Sequence, residues 1–365
     1  MAEKHTRTMT RSLLRSRLNV LLVFAPISWF LAVFAPASPW LFAGAAASIL
    51  PLAGLIREAT DGLAARSGPT LGGFLNATFG NAAELIIGVV ALRAGHIELV
   101  KASLSGSIIG NLLVVLGVSM LVGGLRHGTQ HFNRRTASNA TIMLFLAVVA
   151  LVMPALFNLA TAGGAGAPSA ALVQLSVWTS VLLIAAYVGG LIYTFTAKHD
   201  PLAAQEPAPS GGLTVRGAVG LLVVASALTT VQADLLTDGL EPVLDHLGIT
   251  EFFAGVVVVA LVGSVGEYYA AVAAAARNQM SLATHIAIAS SAQIAMLIAP
   301  ALMIVSLLFG QPMTLLFHPL EIAGIGLAVV AVGIVSLDGE SNWLEGLQLV
   351  AVYLVLAGAF YLLPR

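Results

Sequence analysis

Two glutamates stand where a carboxylate is costly. From Gly80 the chain reads GNAAELIIGVVALRAG, and from Gly263 it reads GSVGEYYAAVAAAARN. In each, the fifth residue is a glutamate, Glu84 or Glu267, in otherwise apolar surroundings. A charge at mid-span costs roughly 2.5–3.5 kcal/mol on insertion scales. It survives by being neutral, by pairing, or by lining a wet cavity. The nearest basic residues along each run, Arg93 and Arg277, fall toward helix ends. A matched set of hydroxyls and amides follows. Ser107 comes 23 positions after Glu84, and Ser290 comes 23 after Glu267. Asn111 then lies four residues past Ser107, and Gln293 three past Ser290, so each serine and amide share a helix face.

Such a set suits a hard divalent cation. Ca²⁺ takes six to eight oxygens at about 2.3–2.6 Å. Two carboxylates supply the charge, while Ser, Asn and Gln oxygens, backbone carbonyls and water complete the shell. With the metal gone, the same carboxylates bind protons, and two close ones titrate as a coupled unit. Cation and protons then compete for one site, which is the thermodynamic basis of antiport. Gly80 and Gly263 each precede a glutamate by one helical turn, where a helix can distort and free its carbonyls. A lone buried Glu can be purely structural. Two at matching positions, each followed by the same serine and amide, point to function.

The elements that must hold these residues are membrane helices. Hydrophobic residues make up 58% of the 365 and charged residues only 9%, against roughly a quarter in ordinary globular proteins. A net charge of −1 argues against a nucleic-acid partner, and with no cysteine there is neither disulfide nor thiolate site. Eleven apolar runs are long enough to enter the bilayer: 18–36, 39–57, 70–94, 102–124, 137–159, 170–196, 213–236, 250–275, 282–309, 317–337 and 343–362. The first follows a basic N-terminus and reads as a helix rather than a cleaved signal, because the chain re-enters the membrane at once. Lys and Arg before residue 18, at 57 and 66, at 126–135 and at 198 and 277 favour a cytoplasmic N-terminus with eleven spans. The acidic stretch LTDGLEPVLDHLG at 236–248 falls on the opposite side and reads as a solvated loop.

Counted from residue 39, the glutamate and serine helices are second and third in a set of five, and again in the next five. Five is odd, so the sets cross the membrane in opposite senses, as an inverted-topology repeat. The expected fold is therefore an all-α polytopic membrane protein. It has a basic N-terminus and one extra helix (1–37), a first five-helix repeat (38–197), a linker (198–212) and a second repeat (213–365). Gln174 and Gln232 read as helix–helix hydrogen bonds. Glu321 and Glu345, near helix starts, need only a dipole or interfacial role.

GNAAELIIG with SGSIIGN, and GSVGEYYAAV with ASSAQIAM, resemble the two α-repeats of the calcium/proton exchangers (CAX branch) of the cation/calcium exchanger superfamily. The resemblance covers nearly the whole chain. It implies Ca²⁺ export driven by proton entry across a bacterial cell membrane, with no cofactor beyond the transported ions. By position, Glu84 and Glu267 would bind cation and protons. Asn81, Ser107 and Asn111 would support them from the first repeat, and Ser264, Ser290 and Gln293 from the second. Three positions depart from the family pattern: Ser264 stands for Asn, Tyr268 for His, and Ala289 for Gly. These leave room for another cation, such as Mn²⁺, Na⁺ or K⁺. A remoter reading makes Ser264 a nucleophile with His285 as its base.

Overall fold

The computed structural model describes residues 17–161, 169–196 and 213–363. The basic N-terminus, most of the 162–169 turn and the linker 198–212 lie outside the described residues. What is described is almost wholly helical: α1 (Leu18–Phe34), α2 (Pro39–Ala64), α3 (Gly68–Phe79), α4 (Ala82–Arg93), α5 (Ile97–His127), α6 (Arg134–Ala160), α7 (Ala170–Thr196), α8 (Val215–Asp238), α9 (Leu240–Leu247), α10 (Glu251–Gly263), α11 (Val265–Ala275), α12 (Met280–Leu308), α13 (Pro319–Val335) and α14 (Trp343–Tyr361). Among the described residues, seven helices are long and apolar enough to cross a membrane unbroken, and α9 with α10, bent by 109°, makes an eighth. α1 and α13 are shorter apolar helices. This is a multi-pass membrane protein, and each of the eleven apolar runs falls mostly on helical backbone.

Two expected spans are broken. The run 70–94 divides into α3 and α4 at Gly80–Asn81, and the run 250–275 divides into α10 and α11 at Ser264. The acidic stretch at 236–248, expected as a loop, is largely α9. Leu240, Val243, Leu244 and Leu247 recur at helical spacing, with Leu240 and Val243 buried. Gly248, at φ +69°, closes the helix in the left-handed conformation that glycine tolerates best.

The chain divides into two compact units that do not follow the sequence halves. The first takes in the residues up to Val90 with Leu191–Gly248, the second Ala91–Gly190 with Ile249–Arg365. In the first, α2 packs chiefly on α8. Ser28 of α1 donates to Gln232 of α8 at 2.7 Å, which bears out the helix–helix role expected for Gln232.

In the second unit, loop contacts define two ends. At one, Gln130–His131 (β1) pairs antiparallel with Glu340–Ser341 (β2), Gln130 donates to Asn278 at 2.8 Å, and Asn133 N–H donates to Ser281 at 3.0 Å. At the other, His96 meets Glu251 at 3.1 Å and Lys101 donates to the Leu316 carbonyl at 3.0 Å. Those contacts gather residues 130–133, 278–281 and 340–341 at one end, and residues 96–101, 251 and 316 at the other. α5 runs from the second end to the first, and α12 runs back. The two serine–amide helices are therefore antiparallel, as inverted repeats require.

Glycine lets α5 lie against its neighbours backbone to backbone. A methyl at Gly106 would overlap the Val256 carbonyl, and one at Gly346 of α14 would overlap the Gly117 carbonyl. Gly106→Ala is therefore expected to lower the detergent Tm, at a cost of about 1–3 kcal/mol for overpacking. Gly220→Ala, with nothing within 4 Å of the added carbon, should leave the Tm unchanged or raised. Equal melting of the two variants would contradict this packing.

Candidate cation site

Each helix break delivers a glutamate to the first turn of a new helix. Glu84 is in the first turn of α4 and Glu267 in that of α11. The unsatisfied N–H groups at a helix start carry partial positive charge, worth about 0.3–1 kcal/mol to a nearby carboxylate. The sequence placed both glutamates inside long apolar runs, and they lie there. The difference is that each sits in the first turn of a new helix rather than in the middle of an unbroken one.

The breaks are built alike. Before α4, Gly80 and Asn81 form the turn, and the Asn81 carbonyl receives the Leu85 N–H at 3.1 Å. Before α11, Ser264 adopts φ −88°, ψ 12°, and its carbonyl receives the N–H groups of Glu267 at 3.1 Å and Tyr268 at 3.2 Å. Asn81, Ser264 and Glu267 are buried, while Glu84 is half-buried.

The amides mark a second irregularity. α5 widens to π-helix over Asn111–Val115, and α12 does so over Ile294–Ile298, directly after Gln293. Single π turns inside α-helices gather at functional sites because they re-aim the residues at their edges. Neither was legible beforehand, since NLLVV and IAMLI are ordinary apolar sequence. Ser107, Asn111, Ser290 and Gln293 are all buried. The structure brings Asn111 and Ser290 together: Asn111 Nδ2 donates to Ser290 Oγ at 3.3 Å. That spends one of the amide's two donors on the opposite repeat. Asn111 Oδ1 is buried and accepts no hydrogen bond among the described residues. Such an oxygen suits a hard cation.

Of the predicted residues, Asn81 and Glu84 belong to the first compact unit. Ser107, Asn111, Ser264, Glu267, Ser290 and Gln293 belong to the second. Among the described residues no three His, Cys, Asp or Glu side chains cluster as a metal site. Tyr268 brings a group the sequence reading gave no place in the site. Its hydroxyl lies 2.9 Å from where a Cβ on Gly110 would stand, one residue before Asn111. The glycine is the sequence signal for that approach.

Residues 37–196 and 217–362 match the family described as sodium/calcium exchanger protein. The chain belongs to that family. Its relatives include the vacuolar calcium ion transporter of Schizosaccharomyces pombe, 36% identical over 98% of this chain and 88% of the relative. The Ca²⁺/H⁺ antiporter of Aphanothece halophytica is 38% identical over 94% of this chain and 96% of the relative. Among solved structures, native YfkE superposes with a TM-score of 0.82 at 34% identity, covering 95% of this chain and all of that one. The matched ranges of this exchanger-family chain contain both glutamates and both serine–amide helices, and the break between the ranges falls at the linker.

Replacing Ser290 by Ala would leave the buried Asn111 amide without this acceptor, at about 1–3 kcal/mol. A lower Tm in detergent is the expected outcome, and an unchanged Tm would mean that the cross-repeat bond contributes nothing.

Proposed function

We propose that this chain is a secondary active transporter exchanging Ca²⁺ for H⁺ by alternating access. Glu84 and Glu267 are the carboxylates for which cation and protons compete. Asn81, Ser107 and Asn111 support them from one repeat, and Ser264, Ser290 and Gln293 from the other. The observation that carries this reading is the duplicated half-site: a glutamate in the first turn after a helix break, then an amide beside a π turn, the two serine–amide helices α5 and α12 running in opposite senses. The relatives named as calcium transporters and Ca²⁺/H⁺ antiporters support the choice of ions. The cycle needs no cofactor. Each carboxylate lies in the first turn of its half-helix, and neutral oxygens share the cation's load when it binds.

The basic residues of the sequence support an orientation in a bacterial cell membrane with the N-terminus in the cytoplasm. The β1–β2 end of the second unit then faces the cytoplasm, and the Lys101 end faces outward. Ser264, buried at the second break where the family carries Asn, favours testing a second cation alongside Ca²⁺. The hydrolase reading gains no support: Ser264 is buried, whereas His285 is exposed.

Everted vesicles given an imposed pH gradient test the proposal. Wild type should accumulate Ca²⁺, and Glu84→Gln and Glu267→Gln should each fall to background. Transport persisting in either variant would remove that glutamate from the mechanism. Mn²⁺, Na⁺ or K⁺ displacing Ca²⁺ at equal concentration would move the assignment to that ion. Because protons occupy the carboxylates in competition, the apparent KM for Ca²⁺ should rise as pH falls on the Ca²⁺-binding side. A KM independent of pH would contradict shared sites.

A further inference from the structure

Glu321 is a buried carboxylate that the exchange cycle above does not use. It is 2% exposed, in the first turn of α13. One oxygen, Oε2, accepts the His318 backbone N–H at 2.6 Å and completes a capping box, so the helix-start role expected from the sequence holds. The other oxygen does something a cap does not require. It lies 2.5 Å from Ser105 Oγ, on α5, 216 residues away in the chain.

Ser105 has one proton and two acceptors in reach: Glu321 Oε1, and the Ala102 carbonyl at 3.0 Å. It cannot donate to both. If Glu321 is ionised, Ser105 donates to the carboxylate, and the Ala102 carbonyl keeps only its helical bond. If Glu321 is protonated, the carboxyl donates to Ser105 Oγ, and Ser105 donates to Ala102. Either arrangement keeps the two oxygens together with every donor used, so one geometry accepts two protonation states. The charged groups facing Glu321 are Lys101 and Glu98 of α5, of opposite sign. Lys101 is held nearby by its bond to the Leu316 carbonyl at 3.0 Å. A route to water is short: His318 and Pro319, next to Glu321 at the helix start, are exposed.

We propose that Glu321 is a proton-binding site built into the packing of α13 against α5, exchanging one proton with the aqueous phase at the 310–318 end and reversing the Ser105 hydrogen bond as it does so. The proton leaves the carboxyl for water at that end and returns from it. Ser105 lies two residues before Ser107 on the same helix, so the reversal occurs on the element that carries the serine and amide. This goes beyond the exchange reading and stands whether or not Ca²⁺ is the ion.

Infrared pH-difference spectra of the purified protein test it without any transport measurement. Wild type should show a carboxyl C=O band that appears on acidification, is missing in Glu321→Gln, and shifts in frequency in Ser105→Ala, where the hydrogen-bond partner is lost. A titrating spectrum identical in wild type and Glu321→Gln would overturn the proposal. So would a carboxyl band unmoved by Ser105→Ala. If Glu321→Gln does not fold, the wild-type and Ser105→Ala pair still decides: a shifted band supports the site, and an unshifted one rejects it.

Discussion

The lipid interior offers no water to satisfy a polar group, and the proposed exchange cycle relies on two carboxylates, Glu84 and Glu267, carried in runs apolar enough to enter it. The rest of the site follows from that constraint. A continuous helix would present each glutamate beside backbone groups already bonded to one another. Breaking the helix just before each glutamate leaves N–H groups of the next first turn outside the helical ladder, and that end carries partial positive charge. The same device occurs twice, before Glu84 and before Glu267. In the proposed exchange cycle each of these carboxylates takes either a proton or a metal ion.

The break needs a rigid frame, and α5 supplies much of it in the second unit. Gly106 admits the Val256 backbone from α10, and Gly117 and Gly346 bring α5 and α14 into backbone contact. Dispersion between close backbones replaces the hydrophobic effect, which is weak between helices already in lipid. With α5 fixed on both flanks, its π turn at Asn111–Val115 becomes a defined feature rather than slack, and Asn111 meets Ser290 across the repeat. Loop contacts at each end of the unit, Gln130 to Asn278 and His96 to Glu251, fix the opposite sense of α5 and α12.

Much of this was legible in the sequence because membrane helices write themselves as long apolar runs, and all eleven fall mostly on helix. The equal 23-residue spacing from glutamate to serine exposed the repeat, and its odd helix count gave the inversion. The glycines before Glu84 and Glu267 signalled distortion, though not that the helices stop there. The π turns were hidden, because adding one residue to a turn leaves no trace in a uniformly apolar stretch. Helix α9 was missed because its Asp and Glu residues outweighed a short apolar stripe. The Ser105–Glu321 bond was beyond sequence reasoning, since nothing local marks a partner 216 residues distant. The compact units were also hidden. They cut across α4 and α7, whereas the eye divides the chain at its linker.

The central claim is that one pair of carboxylates serves both ions. Proton release on Ca²⁺ binding to the purified protein, in weakly buffered solution, measures this most directly. Wild type should release protons in proportion to the Ca²⁺ bound, with the release reduced when Glu84 or Glu267 is replaced by Gln. Saturable Ca²⁺ binding with no proton release, or release unchanged in both variants, would contradict the account.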